Sequence, residues 1–386
     1  MSNISFMEKL LDGVEVEWTT LGNERYVEIA NSGRKPVKAS LRAAGKTPYY
    51  GANNIQDYVD GHTHDGEYVL IAEDGSASLE RYSIQYATGK FWANNHVHVV
   101  RGKEGLSSRF LYHYLCIVNF IPFLSGGGRA KLTKGKLVDI PVPIPCPDNP
   151  KKSLEIQAEI ARILDAFTAM TAELTAELTA ELDLRKKQYN HYRDQLLSFE
   201  EGEVEWKTLG EVAVIGTGSH DTKDAIEDGD YIFYARGREP LSLNAFDFDE
   251  TAIITAGDGA GVGKVFHYAQ GKYALHQRAY RIVPSEMMNP RFVYHCLRSY
   301  FYEYIQKASV SSSVTSLRRP MFLNFPMPVP SLAEQARIVS ILDKFDALTN
   351  SITEGLPREI ELRQKQYEYY RDLLLSFPKP DDEAAA

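Results

Sequence analysis

The sequence contains few cysteines and no long apolar segment. Its 386 residues include three cysteines, Cys116, Cys146 and Cys296, which are far apart and lack the spacing of a zinc site. No apolar run reaches the roughly 18 residues of a transmembrane helix, and the polar start MSNISFMEKLLDG is unlike a signal peptide. These absences argue against a disulfide-stabilised secreted domain and a membrane protein, and they predict a reduced, cytoplasmic protein.

Common catalytic motifs are missing as well. There is no adenine-methyltransferase motif of the Asn/Asp-Pro-Pro-Tyr/Phe type and no acidic nuclease cluster. The stretch 257–264 (GDGAGVGK) looks like a phosphate-binding loop, but Asp258 replaces its first glycine and Val265 replaces the required hydroxyl residue. It therefore predicts a turn and not a nucleotide site. A candidate metal group lacks a fourth ligand and fits a surface loop: His62, His64 and Asp65.

An excess of positive charge is also absent. The net charge of −9 argues against a uniformly basic nucleic-acid binder, although it leaves room for local basic patches. The apolar content of 44% is that of a globular protein. At 386 residues the chain is too long for one ordinary core, so we expect two or more domains.

What the sequence does contain is a tetrapeptide repeat. Residues 171–182 read TAEL three times in succession, which places Leu174, Leu178 and Leu182 on one helical stripe. No glycine or proline interrupts residues 151–199, so this region predicts one helix of roughly 45 residues. Its apolar stripe needs a partner, because an isolated helix of this kind is only marginally stable in water. Taken alone, such a run is typical of a spacer or a coiled-coil segment.

The helical region occurs twice in the chain. Residues 184–199 (LRKKQYNHYRDQLLSF) match residues 362–377 (LRQKQYEYYRDLLLSF) at 12 of 16 positions. Upstream, residues 163–167 match residues 341–345 at the same offset, as Gln157 matches Gln335. The second copy is interrupted by Gly355 and Pro357, which predict the end of one helix and the start of another.

The segments between the helices repeat more weakly, and they predict mixed α/β domains with mostly strands. The paired segments are 16–22 with 204–210, 110–115 with 292–297, and 140–145 with 325–330. Predicted strands cover 68–72 and 252–256, predicted short helices cover 108–120 and 290–304, and the proline-alternating runs predict extended exits. The start of the chain resembles the segment after the first long helix, so the two chain ends are expected to meet.

This pattern closely resembles the specificity (S) subunits of type I restriction-modification systems, in particular the type IC subgroup with tandem TAEL repeats. Besides the TAEL run and the two RxKQYxxYRDxLLSF helices, the resemblance rests on residues 10–18 (LLDGVEVEW), 144–150 (IPCPDNP) and 354–360 (EGLPREI). It is weakest in residues 23–125 and 211–320, where members of the family differ because they read different DNA.

The resemblance implies an α/β (α+β) fold: two similar target recognition domains joined by two long antiparallel helices in a coiled coil, pseudo-two-fold symmetric and circular. The expected divisions are recognition domain 1 (1–150), the central helix (151–200), recognition domain 2 (201–330), a distal helical region (331–378) and a flexible tail (379–386).

The resemblance also implies the function. Each recognition domain would read one half of an asymmetric, bipartite double-stranded DNA site, and the helices would set the spacing and dock two methyltransferase (M) subunits. Two restriction (R) subunits would complete the assembly. The chain itself would not be catalytic, since S-adenosylmethionine, ATP and Mg²⁺ would serve adenine-N6 methylation and restriction in the partner subunits.

Two segments predict phosphate contacts, because cations and hydroxyl groups there can hold phosphate oxygens. In the first domain a glycine-rich stretch, 126–128, precedes the cations Arg129, Lys131, Lys134 and Lys136. In the second domain the matching candidates are Ser312, Ser313, Thr315, Arg318 and Arg319. The alternative interpretation is a pair of solvated loops.

Base readout requires side chains that present paired donors and acceptors, such as Arg, Asn and Gln. In the first domain such residues and neighbouring aromatics are Tyr49, Tyr50, Asn53, Asn54, Asn94, Asn95 and His96. In the second they are Tyr234, Arg236, Arg238, His276, Gln277 and Arg278. The aromatic members could also stack on a flipped base. The alternative is that these are ordinary loop and core-edge residues.

The repeated helices carry further candidates at helical spacing. They are Lys187, Tyr189, Tyr192, Arg193, Lys365, Tyr367, Tyr370 and Arg371. Their default role is coiled-coil packing, and contact with the M subunits is the functional alternative. Two other classes compete with the whole interpretation: a nuclease or methyltransferase acting by itself, and a coiled-coil scaffold without a DNA role.

Overall fold

A computed structural model describes residues 13–126, 130–200, 202–308, 316–350 and 354–378. The chain divides into two compact units: unit 1 comprises residues 1–177 and 361–386, and unit 2 comprises residues 178–360. Each unit therefore combines one strand-rich segment with parts of both helical regions. None of the helices in the described residues is long and apolar enough to cross a membrane.

The described residues of unit 1 form two four-stranded sheets and one two-stranded ladder. Its strands are β1 (Val16–Thr20), β2 (Val27–Ile29), β3 (Ala44–Tyr50), β4 (Ile55–Val59), β5 (His64–Asp65), β6 (Tyr68–Ala72), β7 (Ile84–Ala87), β8 (Lys90–Ala93), β9 (Val97–Gly102) and β10 (Pro141–Pro145). The sheet orders are β2-β9-β6-β7 and β4-β3-β8-β5, and β1 pairs with β10. The pairing of β3 with β8 is parallel, and the other pairings are antiparallel.

Unit 2 contains one six-stranded sheet and an equivalent two-stranded ladder. Its strands are β11 (Glu205–Thr208), β12 (Ala213–Thr217), β13 (Tyr231–Tyr234), β14 (Leu241–Leu243), β15 (Phe248–Ala256), β16 (Phe266–Leu275), β17 (Ala279–Pro284) and β18 (Pro326–Val329). The order of the large sheet is β12-β17-β15-β16-β13-β14, and β11 pairs with β18.

The predicted long helix is present and slightly longer than expected. The helices are α1 (Ser108–Leu115), α2 (Lys134–Leu137), α3 (Pro150–Leu196), α4 (Leu209–Val212), α5 (Pro290–Ala308), α6 (Arg319–Leu323), α7 (Leu332–Asn350) and α8 (Gly355–Leu374). Short 3-10 turns cover Asn31–Gly33, Ala39–Leu41, Ile121–Phe123 and Thr222–Asp224. The helix α3 has 47 residues, close to the predicted 45.

The two units have an equivalent arrangement of strands, although these strands form different numbers of sheets. In unit 2 the strand β16 pairs with β15 along most of its length and then with β13. In unit 1 two strands take the place of β16. They are β7, which pairs with β6, and β8, which pairs with β3. Gly89 between β7 and β8 and Gly271 within β16 both have positive φ, at +66° and +77°. Glycine adopts this conformation without steric cost, so the backbone of both units can turn at the same point.

The proline-alternating runs form extended strands, as predicted. Pro143 lies opposite Trp18 in the β1–β10 ladder, and Pro328 lies opposite Trp206 in the β11–β18 ladder. Proline cannot donate a backbone hydrogen bond, so it is tolerated in a two-stranded ladder where only one edge needs to pair. These strands lead directly into α3 and α7.

In unit 1 the helices α3 and α8 pack antiparallel. Along α3, Phe167 contacts the Tyr370 ring, with ring centroids 6.0 Å apart, and Thr168 hydrogen-bonds Tyr367 at 3.0 Å. Residue numbers therefore increase along α3 where they decrease along α8, as in an antiparallel pair. The start of α3 is buried in the core of unit 1 through Ile160. The three TAEL leucines, Leu174, Leu178 and Leu182, are half-buried.

The interruption of the second helical copy is confirmed. The helix α7 ends at Asn350 and α8 begins at Gly355, with Pro357 in its first turn. Gly355 has a φ of +79°, and an added Cβ would lie 2.5 Å from the carbonyl oxygen of Ala347. Glycine is therefore required here for both conformation and space.

The expected meeting of the chain ends is confirmed for the described residues. The indole Nε1 of Trp18 donates to the carbonyl oxygen of Pro378 at 2.7 Å. Phe377 is buried in the core of unit 1 and packs edge-on against Phe110, with ring centroids 5.7 Å apart. The predicted tail, 379–386, lies outside the described residues.

Candidate nucleic-acid interface

In each unit, loops that follow three different strands are joined by backbone hydrogen bonds. In unit 1, Asn94 N donates to Tyr50 O at 3.2 Å, and Glu73 N donates to His96 O at 2.8 Å. In unit 2, His276 N donates to Tyr234 O at 3.0 Å, and Gly257 N donates to Arg278 O at 2.8 Å. The bonds are equivalent, so the residues in these loops can be matched between units.

The segments predicted to contact phosphate lie beside the same loops. Leu132 N donates to Glu73 O at 2.7 Å in unit 1, and Leu317 N donates to Gly257 O at 2.7 Å in unit 2. We therefore define loop surface 1 as residues 50–54, 73–76, 94–96 and 131–134, and loop surface 2 as residues 234–238, 257–264, 276–278 and 316–319. The candidates Arg129, Ser312, Ser313 and Thr315 lie outside the described residues.

Most of the described candidates are accessible on these surfaces. Half-buried candidates are Tyr50, His96 and Arg236. Exposed candidates are Asn53, Asn54, Asn95, Lys131, Lys134, Arg238, Gln277, Arg278, Arg318 and Arg319. Loop surface 1 thus presents mainly amides and lysines, whereas loop surface 2 presents arginines.

Four candidates are buried, and this corrects their assignment as direct base contacts. Tyr49 accepts a hydrogen bond from Val37 N at 3.1 Å, and Tyr234 lies in the sheet core. The other two shape loops: Asn94 accepts from His96 N and His276 accepts from Arg278 N. In both turns a side chain satisfies the backbone N–H two residues later, which is a common way to stabilise a tight loop.

Loop surface 1 is supported by two acidic residues that the sequence analysis did not select. Asp74 Oδ1 lies 2.5 Å from His96 Nδ1. Glu73 contacts Arg34 at 2.6 Å and Lys131 at 3.0 Å. Burial alone would raise the pKa of Glu73, but the hydrogen bonds from Arg34 and Lys131 outweigh it and lower the pKa. Glu73 is therefore negatively charged, and it holds Lys131 of the segment predicted to contact phosphate.

In loop surface 2, a single carboxylate holds two arginines. Asp258 contacts Arg236 at 2.9 Å and Arg278 at 3.2 Å. Burial alone would raise the pKa of Asp258, but hydrogen bonds and charge from both arginines hold it below its usual range. The turn predicted for residues 257–264 is confirmed, and it leads into β16 and not into a helix.

The recognition segments are attached to the helices by a second set of residues that sequence reasoning missed. Gln335 is fully buried: its Oε1 accepts from Asn289 N at 2.7 Å, and its Nε2 donates to Met287 O at 3.0 Å and Pro330 O at 2.9 Å. Gln157 makes the equivalent contacts to Ser107 N and Gly105 O in unit 1. The alignment of the two glutamines in the internal repeat was the signal that could have found them.

A histidine, an arginine and an aspartate form the second attachment. His113 Nε2 lies 2.7 Å from Asp165 Oδ1, and Arg109 also binds this carboxylate. In unit 2, His295 Nε2 lies 2.6 Å from Asp343 Oδ1, which Arg291 also contacts, at 2.8 Å. The equivalent geometry joins α1 to α3 and α5 to α7.

The surroundings of the two buried histidines of these attachments favour their neutral form near pH 7. Burial lowers the pKa of both His113 and His295, outweighing the opposite effect of the adjacent aspartates. The Nδ1 atom of His295 is buried without a hydrogen-bond partner, so a proton there would be unsatisfied. The neutral tautomer with hydrogen on Nε2, donating to Asp343, fits both observations.

This neutral state predicts a loss of stability in mild acid. A histidine whose folded pKa is lowered takes up its proton at higher pH in the unfolded chain, where its pKa is about 6.5. The free energy of unfolding should therefore decrease as the pH falls below about 6.5. His295→Gln keeps an Nε2 donor and should weaken this dependence in denaturant titrations between pH 7 and 5.5. The control variant His191→Gln, at an exposed position of α3, should show the same change of unfolding free energy with pH as the parent protein. An equal pH dependence in all three proteins would contradict the interpretation.

Most of the candidates on the repeated helices lie at positions that take part in packing between or within the helices. Tyr189 is buried in the core of unit 2, and Tyr192 stacks on Phe345 with ring centroids 5.6 Å apart. Arg193 and Arg371 pair with adjacent aspartates, and Lys365 pairs with Glu361. The exposed members are Lys187, Tyr192, Lys365 and Tyr370.

The candidate metal group is part of the fold of unit 1. His64 is buried, and its Nε2 lies 3.0 Å from the carbonyl oxygen of Ala30, while its Nδ1 contacts the Thr63 hydroxyl. Within the described residues, no group of three or more histidine, cysteine or acidic side chains could hold a metal ion.

Comparison with known proteins shows the family. A family model described as "Type I restriction modification DNA specificity domain" matches residues 15–184 and 201–362. A putative type I restriction enzyme specificity subunit from Haemophilus influenzae is 48% identical, over 97% of this chain and 99% of that protein. The EcoR124I/EcoR124II specificity subunit of Escherichia coli is 39% identical over 99% of both chains.

Solved structures show the same fold. The S subunit of a type I restriction-modification system from M. genitalium has a TM-score of 0.54 at 15% identity, covering 96% of this chain and 98% of that one. A chain from another type I system structure has a TM-score of 0.59 at 14% identity, covering 93% and 97%. At these identities the likeness concerns the fold alone.

The two DNA specificity domains that the family model matches define a DNA-recognition protein. The chain belongs to the specificity subunits of type I restriction-modification systems. Such subunits are not catalysts by themselves; they act in a complex with methyltransferase and restriction subunits and with DNA.

Proposed function

We propose that each unit reads one half of an asymmetric bipartite DNA sequence through its loop surface. The single observation that carries this proposal is the shared loop framework with different side chains. Equivalent backbone bonds join the loops of both units, yet Asp74 faces His96 in one, while Asp258 faces two arginines in the other. Two similar frameworks with unlike readout groups suit two unlike half-sites.

The assembly contains two M subunits and two R subunits around one copy of this chain, in the bacterial cytoplasm. Adenine-N6 methylation and ATP-dependent restriction belong to those partners. The exposed helix residues Lys187, Tyr192, Lys365 and Tyr370 support M-subunit contact, since they present aromatic surface and positive charge to solvent. Phosphate contacts come from Lys131 and Lys134 in unit 1 and from Arg318 and Arg319 in unit 2. The candidates in segments 127–129 and 309–315 remain part of this proposal.

Mapping adenine methylation tests the proposal. The chain would be expressed with its M subunit in cells without other adenine methylation, and N6-methyladenine would be located by single-molecule sequencing. We expect one interrupted, asymmetric motif. A continuous or palindromic motif, or methylation by the specificity chain without the M subunit, would contradict it.

A further inference from the structure

We propose that unit 2 reads a guanine in its half-site through the two free donors of Arg278, and that Asp258 is the positioning residue that sets the orientation of Arg278 beside Arg236. This inference rests on the proposed function, because it requires that loop surface 2 faces DNA bases.

The three residues come from three different strands of one sheet. Arg236 lies two residues after β13, Asp258 lies two residues after β15, and Arg278 lies in the turn between β16 and β17. Asp258 Oδ1 accepts from Arg236 Nη1 at 2.9 Å, and Oδ2 accepts from Arg278 Nη1 at 3.2 Å. One carboxylate therefore places two guanidinium groups side by side, each held by one nitrogen.

The donors that remain match the edge of guanine. No hydrogen bond within the described part of the chain occupies the Nε or Nη2 atom of either arginine. Guanine presents N7 and O6 as two adjacent acceptors in the major groove, and arginine binds them with two parallel donors. The side chains of Arg236 and Arg278 are 40% and 63% exposed, whereas Asp258 is 25% exposed. The carboxylate thus lies beneath the guanidinium groups.

The charge of the cluster favours a base over a phosphate. Asp258 cancels one of the two positive charges and would itself repel a phosphate oxygen. The ion pairs with Asp258 reduce the affinity of the arginines for the DNA backbone, but they limit the rotamers of both side chains. A fixed orientation is required to bind two neutral acceptors on the edge of a base. Arg318 caps the start of the neighbouring helix α6 and Arg319 begins it, and both remain exposed for phosphate contact.

Unit 1 provides an internal comparison. Ala52, two residues after Tyr50, takes the place of Arg236, two residues after Tyr234. His96 takes the place of Arg278, and Asp74 takes the place of Asp258. Loop surface 1 therefore cannot read guanine in this way, so a change at Asp74 should act only on the other half-site.

The test uses the full complex with the M subunit and the variants Arg278→Ala, Arg278→Lys, Asp258→Asn and Asp74→Asn. Methylation mapping should show relaxed choice at one guanine for the three unit 2 variants, with the other half-site unchanged. Asp74→Asn should relax only the half-site that the others leave intact. Arg278→Lys keeps the charge and removes the two-donor fork, so it separates guanine readout from folding and from charge.

Binding measurements give the second readout. Replacing the guanine at that position with 7-deazaguanine removes N7 and should weaken binding by the parent complex by roughly 5- to 150-fold. The same replacement should have little further effect on Arg278→Ala. Asp258→Asn should lose discrimination while binding unrelated DNA at least as tightly, because a negative charge is removed.

Three outcomes would overturn the inference: a half-site without guanine, uniform weakening on all sequences with a salt slope reduced by about one, or equal 7-deazaguanine effects in parent and Arg278→Ala. The second outcome would make Arg278 a phosphate contact. Failure of the proposed function looks different, since the parent complex would then show no bipartite motif at all.

Discussion

Deleting one TAEL tetrapeptide, Thr179–Leu182, should abolish methylation of the original site and shift it to a site whose gap is about one base pair shorter. Both half-sites should stay the same, because the deletion lies in α3 and removes no residue of either loop surface. Four residues add about 6 Å to an α-helix and turn it by about 400°, a net rotation of about 40°. One base pair turns B-DNA by about 35°, so the deletion and the lost base pair change the angle similarly.

Two controls separate spacing from folding. Inserting one further TAEL after Leu182 should lengthen the gap by about one base pair. Deleting Leu182 alone rotates the following helix by about 100°, which no single base pair can match, and should abolish methylation at every spacing. The measurement is the methylation map of each variant; a gap that stays constant in the tetrapeptide variants would refute a spacing role for α3.

Replacing Gln335 with alanine should destabilise unit 2 by about 3–5 kcal/mol. The side chain is fully buried and serves Asn289 N, Met287 O and Pro330 O, so its removal leaves three backbone groups without their partner. Each buried unsatisfied group costs about 1–3 kcal/mol. The loss should be visible as faster hydrogen exchange throughout unit 2.

Hydrogen exchange is the suitable measurement because a chain of two units need not unfold in one step. Gln195→Ala, at an exposed position of α3, is the matched control and should change stability by less than about 0.5 kcal/mol. Gln157→Ala should move the effect to unit 1, where Gln157 has the equivalent role. Similar exchange rates in Gln335→Ala and the parent would contradict the structural role.

The helical part of the fold was predictable because its signal is local. An uninterrupted run of helix formers predicted α3, and Gly355 with Pro357 predicted the interruption between α7 and α8. The strands around 68–72 and 252–256 were predictable for the same reason. Helix α1, predicted to reach residue 120, ends at Leu115, and α5, predicted to end at 304, continues to Ala308. Helix ends depend on packing that composition does not encode.

The sequence predicted which regions form the recognition loops, but not the role of each residue within them. Asn94 and His276 are polar residues in predicted loops next to strands, and this pattern is typical of a binding surface. Each instead turns inward and accepts the backbone N–H of the residue two positions later. Whether such a side chain faces solvent or its own turn depends on the local dihedral angles, which residue types alone do not define.

The sequence by itself determined the repeat order, the long helix and the meeting of the chain ends, because each of these depends on local periodicity or on comparison of the chain with itself. Only the tertiary structure decided which charges meet. Asp258 joins Arg236 and Arg278 across 22 and 20 residues, and His113 joins Asp165 across 52. Strand order and register bring these groups together, and since both arise from long-range pairing of the backbone, no spacing along the chain reveals them.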